Sequence, residues 1–460
     1  EQAVGGLAQG GDGARPAATY AEAQDALLSR WPEHRLEPSL DRIQQFADYL
    51  GDPQHNYRVV HLTGTNGKTS TARMIERLLL AVGLRTGRFT SPHLESMTER
   101  IVIDGEPLSE EDFVAHFNDV AAFTHLVDAS QPHPLSFFET IVGMAYSAFS
   151  DAPVDVAVVE VGMGGAWDAT NVADGAVAVL TPIAVDHAAY LGPDPVAIAR
   201  EKVGIIKPGA EVVTAAQPPQ VLEVIAQRCR EVGATLHIEG VDFGVESRVA
   251  AVGGQVLTLT SPWGRHQDLF LPLYGAHQGQ NLALAVSAVE ALIGGQSLGA
   301  EVITEACSEM TSPGRLEVVR RSPTIVLDAA HNPHGAEAAV AALSDSFSFS
   351  PLVGVVGVMA DKDVEGLLAA FEPVLAHIVC TQNSTPRALP AVELAQIAEG
   401  IFGVDRVVVA PDLVDAIDRA TTLAEAGGVF GEGLGSGGVL VTGSVITIGE
   451  ARRLINPKGL

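Results

Sequence analysis

The sequence predicts an α/β fold of two doubly wound domains, the first larger than the second. Three observations carry this. The apolar run Val59-Val60-His61-Leu62 leads into the glycine-rich turn Thr63-Gly64-Thr65-Asn66-Gly67-Lys68-Thr69, and a helical segment follows from Ser70 to Val82. Val-rich runs such as Val156 to Val161 recur with helical patterns between them, as expected of parallel strands buried on both faces. The alternation stops at Thr311-Ser312-Pro313-Gly314-Arg315 and then restarts, which predicts a hinge followed by a second sheet. The expected division is a disordered stretch over 1–17, a phosphate-loop domain over 18–312 and a second domain over 313–460.

Taken in order, residues 1–17 are rich in Gly and Ala. Tyr20 to Leu50 carries a helical apolar period, which Gly51-Asp52-Pro53 ends. After the first phosphate-loop helix, a short strand leads to Thr90-Ser91-Pro92-His93-Leu94, where Pro92 makes a loop at the strand's end, the position at which α/β enzymes hold ligands. Ser109 caps a helix predicted to run through Val120, and Ser136 starts another to Phe149. Further strands are expected at Val177–Ile183, Glu211–Ala215 and Thr235–Ile238, and a helix from Pro195 to Ile206. The alternating stretch 244–271 reads as an antiparallel hairpin region turning at Gly253-Gly254. A helix is expected from Leu282 to Ile293. Beyond the hinge, strands are predicted at Thr324–Leu327, Leu352–Val358, Ile378–Thr381, Val407–Val409 and Val439–Thr442. The glycine-rich 427–438 reads as a mobile loop.

Composition narrows the function. The 28 basic against 56 acidic residues give a formal charge of −28, which argues against nucleic acid or an anionic membrane as partner. It also means that a site for anionic ligands must gather its few cations locally. No apolar run is long enough for a membrane helix, and no basic segment followed by an apolar one suggests a signal peptide. The three cysteines, Cys229, Cys307 and Cys380, have no metal-ligand or disulfide spacing, which suits a cytoplasmic protein.

The turn Thr63–Thr69 has the chemistry of a phosphate cradle. Backbone N–H groups and the positive end of the helix dipole face an anion, Lys68 reaches the outer phosphates, and the Thr69 hydroxyl can ligate Mg²⁺. The usual first glycine of the motif is missing, since Leu62 stands there. Glu160, at the end of a buried strand and followed by Gly162, suits a Mg²⁺ ligand; the alternative is a capping or solvated carboxylate. Asp186-His187 at another strand end suits a metal ligand with its orienter; a satisfied core histidine is the alternative. Lys202 alone reads as a surface lysine. Asn281 either caps a helix or holds a base.

Taken together, the motifs resemble the folylpolyglutamate synthase/dihydrofolate synthase family, a Mur-ligase-related group of ATP-dependent amide ligases. The resemblance runs from about Tyr20 to Leu454. Its marks are the Thr63–Thr69 turn, Thr90-Ser91-Pro92-His93-Leu94 with Glu99-Arg100-Ile101, Glu160-Val161-Gly162 with Asp168-Ala169-Thr170-Asn171, and Asp186-His187. They continue with Glu201-Lys202 and Lys207, Pro313-Gly314-Arg315, Asp328-Ala329-Ala330-His331-Asn332-Pro333, and Thr442-Gly443-Ser444. The departures are Ala166, Ala329 and Val445-Ile446, the last of which bears on the glutamate pocket.

The resemblance implies a Mur-type P-loop ATPase domain followed by a Rossmann-like glutamate-ligase domain. It implies that Gly64, Thr65, Asn66, Gly67, Lys68 and Thr69 cradle ATP, with Asn281, Arg315 and Asp328 contacting the nucleotide. Two Mg²⁺ sites are implied, on Thr69 and Glu160 and on Ser91, Glu160 and His187; a monovalent cation is a further candidate. Lys202 matches a lysine that is carbamylated in the family. Arg100, His331 and Ser444 would handle the incoming glutamate, with Lys68, Lys202 and His331 as the catalytic group. The implied activity joins L-glutamate to dihydropteroate and to the tail of reduced folates, in a monomer. The rivals are tail extension alone, a Mur ligase of cell-wall precursors, and a regulatory protein with a silent site. The short segment before the phosphate loop leaves little room for the extra domain of the Mur ligase, and the intact motif residues speak against the silent site.

Overall fold

A computed structural model of the chain describes residues 16–32, 38–186, 188–426 and 437–455. Eight strands form the first sheet: β1 (Arg58–Thr63), β2 (Thr86–Phe89), β3 (Ile101–Ile103), β4 (Glu106–Pro107), β5 (Val156–Glu160), β6 (Gly175–Leu180), β7 (Glu211–Thr214) and β8 (Thr235–Ile238). Their order is β4-β3-β2-β5-β1-β6-β7-β8. Across the sheet, the six strands from β2 to β8 run parallel, and β3 and β4 add an antiparallel edge. Strand β5 reads Val-Ala-Val-Val-Glu and is buried throughout, because helices cover both faces of the sheet. Leu62 pairs with Glu160 and Thr63 with Leu180, so register brings the glycine-rich turn beside Glu160.

A three-stranded antiparallel sheet follows, β9 (Gly244–Ala251), β10 (Gly254–Ser261) and β11 (Gly264–Leu271), in the order β11-β10-β9. Its first turn needs Gly253, whose φ of +80° favours glycine. The last sheet comprises β12 (Glu317–Arg321), β13 (Thr324–Asp328), β14 (Leu352–Val356), β15 (His377–Cys380), β16 (Val407–Val409) and β17 (Gly438–Thr442), ordered β12-β13-β17-β14-β15-β16. Only β12 is antiparallel in it. The chain is therefore α/β, with two doubly wound parallel sheets.

Four sequence expectations change. The helical pattern over Tyr20 to Leu50 forms two helices, Tyr20–Leu28 and Asp41–Tyr49, since Pro32 and Pro38 lie between them. The helix capped by Ser109 runs on to Ser130 rather than stopping at Val120. The helix expected from Leu282 begins at Ala276, so Asn281 lies within it and does not cap it. The disordered stretch 1–17 falls outside the described residues up to Arg15, but Ala17 exchanges two hydrogen bonds with the Asn118 amide, at 2.8 and 2.9 Å. The glycine-rich loop lies outside the described residues over 427–436.

The two parallel sheets meet through a polar seam. Ser70 and Ser312 hydroxyls lie 2.8 Å apart, and Arg452 bridges Glu95 at 2.6 Å and Glu317 at 3.1 Å. The helix Val445–Ile455 presses against the loop holding Leu94. A Cβ on Gly449 would stand 2.0 Å from the Leu94 carbonyl oxygen. Gly449→Ala is expected to destabilise the protein by about 1–3 kcal/mol, the usual cost of overpacking, read as a lower Tm. An unchanged Tm would mean that this contact yields freely.

Candidate active site

The carboxyl ends of the two parallel sheets face one another across a cavity of about 430 Å³, ample for a nucleotide-sized ligand. On one side it is lined by residues 64–70, Ser91, Glu160 and Lys202; on the other by Arg315, Asp328 and His331.

The turn after β1 keeps its shape through two glycines. A Cβ on Gly64 would lie 1.8 Å from the Thr181 hydroxyl, and one on Gly67 would lie 2.9 Å from the Asn281 side-chain oxygen. Both have positive φ, +147° and +88°. The Thr65 and Asn66 amides donate to the Pro182 carbonyl. The amides that open the helix Lys68–Val82 have no intrahelical acceptor and point their dipole at the cavity.

Two lysines converge on one oxygen. Lys68 Nζ donates to the Gly64 carbonyl at 3.1 Å, and Lys202 Nζ to the same carbonyl at 2.9 Å. Burial pushes the Lys68 ammonium below its ordinary pKa, with Glu160 and Asp186 opposing. Burial, reinforced by Lys68, pushes Lys202 down to about 7. Lys202 is only 4% exposed, so its reading as a surface lysine is overturned: the helix Pro195–Lys202 ends by turning it inward.

Thr69 Oγ donates to both oxygens of Glu160, each at 3.0 Å. Glu160 is 2% exposed, so the solvated alternative falls. Burial raises its pKa, while Lys68, the Thr69 hydroxyl and the Ser91 backbone N–H hold it down. A buried carboxylate beside a hydroxyl and a strand-end loop is a donor set that suits a hard divalent cation. His187 lies outside the described residues.

Across the cavity, Asp328 ends β13. Its two oxygens accept from the Leu316 and Ala330 amides, both at 3.0 Å. Burial raises its pKa, and Arg315 opposes this. Among the described residues, no hydrogen bond or ion pair engages the Arg315 guanidinium, and Arg315 lines the cavity. His331 Nε2 lies 3.4 Å from Asp186, and its Nδ1 lies 3.0 Å from the Ala329 carbonyl. Asn281 bonds Gln278 and lines the cavity behind the turn.

Two of the expected site residues do not reach the cavity wall. Arg100 is 3% exposed; its Nε donates to His93 Nδ1 at 2.9 Å and its guanidinium covers the Phe137 ring. Ser444 is 3% exposed, lies 3.0 Å from the Thr447 hydroxyl, and accepts from the Thr447 amide at the start of its helix. Its neighbour Val445 does line the cavity.

The structure also makes contacts that the motifs do not show. Asp186 accepts from Lys362 Nζ at 2.6 Å, and Asn332 exchanges hydrogen bonds with Asn66 of the turn at 3.1 and 3.2 Å. The phosphate loop is thus bonded directly to the loop that follows β13 of the last sheet. Lys362 follows β14 at a strand's carboxyl end, and that position is the signal that could have found it. His277 also lines the cavity, and burial lowers its pKa to about 4.

Comparison with known proteins agrees with this architecture. Residues 62–289 match the Mur ligase middle domain, and residues 314–445 match the Mur ligase glutamate ligase domain. The chain is 46% identical to the dihydrofolate synthase/folylpolyglutamate synthase of Mycobacterium tuberculosis, over 95% of this chain and 94% of that one. It is 33% identical to the Escherichia coli K12 protein of the same name, over 83% and 86%. Among solved structures, Mycobacterium tuberculosis folylpolyglutamate synthase complexed with ADP superposes with a TM-score of 0.92 at 46% identity, covering 95% of this chain and 98% of that one. Escherichia coli FolC in complex with DHPP and ADP superposes with a TM-score of 0.84 at 29% identity, covering 97% and 99%. The chain belongs to the dihydrofolate synthase/folylpolyglutamate synthase family of Mur-type, ATP-dependent amide ligases.

Proposed function

We propose that the protein joins L-glutamate to dihydropteroate and extends the γ-glutamyl tail of reduced folates, using ATP to form an acyl phosphate. The observation that carries this is the convergence on one cavity of Lys68, Glu160 and Lys202 from the first sheet with Arg315, Asp328 and His331 from the last. Residues 18–312 and 313–460 are read as two domains that enclose this cavity, because each parallel sheet lies wholly to one side of Ser312.

The chemistry follows from the parts. A carboxylate acylates poorly because oxide is a poor leaving group. Transfer of the γ-phosphoryl group to the folate carboxylate supplies phosphate as the leaving group. Such a transfer needs mostly positioning and charge stabilisation. Gly64, Thr65, Asn66, Gly67 and Thr69 hold the triphosphate, Lys68 and Arg315 neutralise the charge that develops, and Asn281 and Asp328 orient the nucleotide. Thr69, Ser91, Glu160 and His187 are the residues that would hold Mg²⁺. Bound there, Mg²⁺ would supply Lewis-acid stabilisation to the phosphoryl oxygens. Carbamylation of Lys202 would turn a cation into an anion beside that set. The glutamate amine then attacks the acyl carbon, and phosphate leaves. A cavity closed between two domains keeps water from the acyl phosphate.

His331 is assigned to the incoming amine because it lines the cavity, with its Nε2 3.4 Å from Asp186, which would orient the ring. Arg100 and Ser444, buried behind the cavity wall, would support the glutamate site only indirectly, Ser444 as the chain neighbour of the wall residue Val445. His331→Ala is expected to impair amide formation while leaving ADP affinity within about twofold, measured by steady-state rate and calorimetry. Loss of ADP affinity alone would contradict this role. The protein is read as a monomer acting in the cytoplasm; among the described residues no helix is long and apolar enough to cross a membrane.

The test is turnover with ATP and glutamate, assayed separately with dihydropteroate and with tetrahydrofolate. Turnover with both is expected. Turnover with tetrahydrofolate alone would reduce the function to tail extension, and turnover with neither would overturn it.

A further inference from the structure

A smaller cavity of about 40 Å³ adjoins the large one, and Thr69, Pro92, Arg315, Ala329 and Val445 line both. The side cavity also contains Arg73. Arg73 lies one helical turn beyond Thr69 on the same face of the helix Lys68–Val82. Among the described residues, no hydrogen bond or ion pair reaches its guanidinium.

That lack of a partner is not for want of carboxylates. Glu76 and Glu99 both act on Arg73 electrostatically. Glu76, however, is bound to Arg88 at 2.8 Å. Glu99, which also lines the side cavity, accepts from the Leu94, Glu95 and Ser96 amides, at 2.9, 2.8 and 2.8 Å. Burial pushes Arg73 down to about 10, with Arg88 adding repulsion. A half-buried guanidinium with no protein partner among the described residues, and with no nitrogen sealed from solvent, is open to an anionic ligand. A protein of charge −28 places this cation directly beside its reaction cavity.

The space selects the ligand. One water needs roughly 10–15 Å³ of such volume, so the side cavity holds about three water-sized atoms, enough for a carboxylate and not for a phosphate chain. The group must be anionic, planar enough for a guanidinium fork, and attached to something in the main cavity. Phosphate is already provided for at the helix N-terminus and Lys68. The amine substrate carries two carboxylates within a few bonds of its reacting nitrogen.

We propose that Arg73 is a specificity-determining residue that takes one carboxylate of the incoming glutamate in this side cavity. The assignment rests on the ligase reading above and adds the place where the amino acid is recognised.

The test compares wild type with R73Q and R73K, using glutamate, glutamine (side-chain charge removed) and isoglutamine (α-charge removed) as amines. In R73Q the KM for glutamate is expected to rise on the order of 10- to 100-fold, the scale of one charge-assisted hydrogen bond. KM for ATP should stay within about twofold. Wild type should discriminate against both amides. In R73Q the discrimination should shrink against one of them only, and that one identifies the carboxylate held. R73K keeps the charge and should retain part of the affinity; if R73Q does not fold, a raised KM for glutamate in R73K supports the role and an unchanged one overturns it. Unchanged glutamate KM and unchanged discrimination in R73Q, or equal losses for all substrates, would likewise overturn the role of Arg73. Normal wild-type turnover with such a result sinks the Arg73 assignment alone; absent wild-type turnover sinks the ligase reading with it.

Discussion

Lys68→Ala is expected to lower kcat by about 10²- to 10³-fold, the cost of removing one preorganised charge from a developing anion. Lys68 is held over the cavity by the Gly64 and Thr65 carbonyls, at 3.1 and 3.3 Å, so it needs little reorganisation to meet the phosphates. The loss should fall mainly on kcat, because the charge it faces grows in the transition state. Rapid-quench measurement of phosphoryl transfer separates this from substrate binding. A variant with unchanged kcat and only a raised KM for ATP would show that Lys68 binds but does not stabilise the transfer.

The second large effect is expected at Lys202. Its replacement by alanine should cost at least about 100-fold in activity, and a short-chain carboxylate such as acetate should restore part of it. The reason lies in its environment. Burial, with Lys68 nearby, lowers the ammonium pKa to about 7. Near neutral pH a large share of the amine is therefore uncharged and nucleophilic; on the carbamate reading, CO₂ would add to Nζ with release of a proton to give the carbamate anion. The sign of the pH dependence follows. Below pH 7 the amine is protonated, carbamate is lost, and activity should fall; added bicarbonate should oppose the fall. A fully active K202A variant, or one whose loss no carboxylate relieves, would contradict the carbamate reading.

The phosphate loop and the two sheets were legible in the sequence because each rests on local chemistry. A strand, a glycine turn and a helix need only short-range patterning, and Val-rich runs mark buried parallel strands wherever they occur. Lys202 was not legible from its surroundings: a lone lysine near a helix end looks solvated until the fold turns it toward Gly64, and only the resemblance singled it out. Asn281 looks like a possible cap in the sequence because the glycines at 275 and 279 hide the true start of its helix. Lys362, Asn332 and Arg73 escape for a different reason. Their meaning comes from pairings across the seam, Lys362 with Asp186 and Asn332 with Asn66, or, for Arg73, from the absence of any partner among the described residues. No sequence spacing records such relations. Arg100 and Ser444 show the converse, since motif membership marks them as special positions while burial removes them from direct contact with the cavity.

The most direct test of the proposed mechanism follows the oxygen atoms. A folate acceptor labelled with ¹⁸O in its reacting carboxylate should deliver one labelled oxygen to inorganic phosphate for each amide bond formed, because that oxygen leaves on the acyl phosphate. Phosphate free of label, with amide formed at the normal rate, would contradict an acyl phosphate and with it the reaction proposed for this cavity.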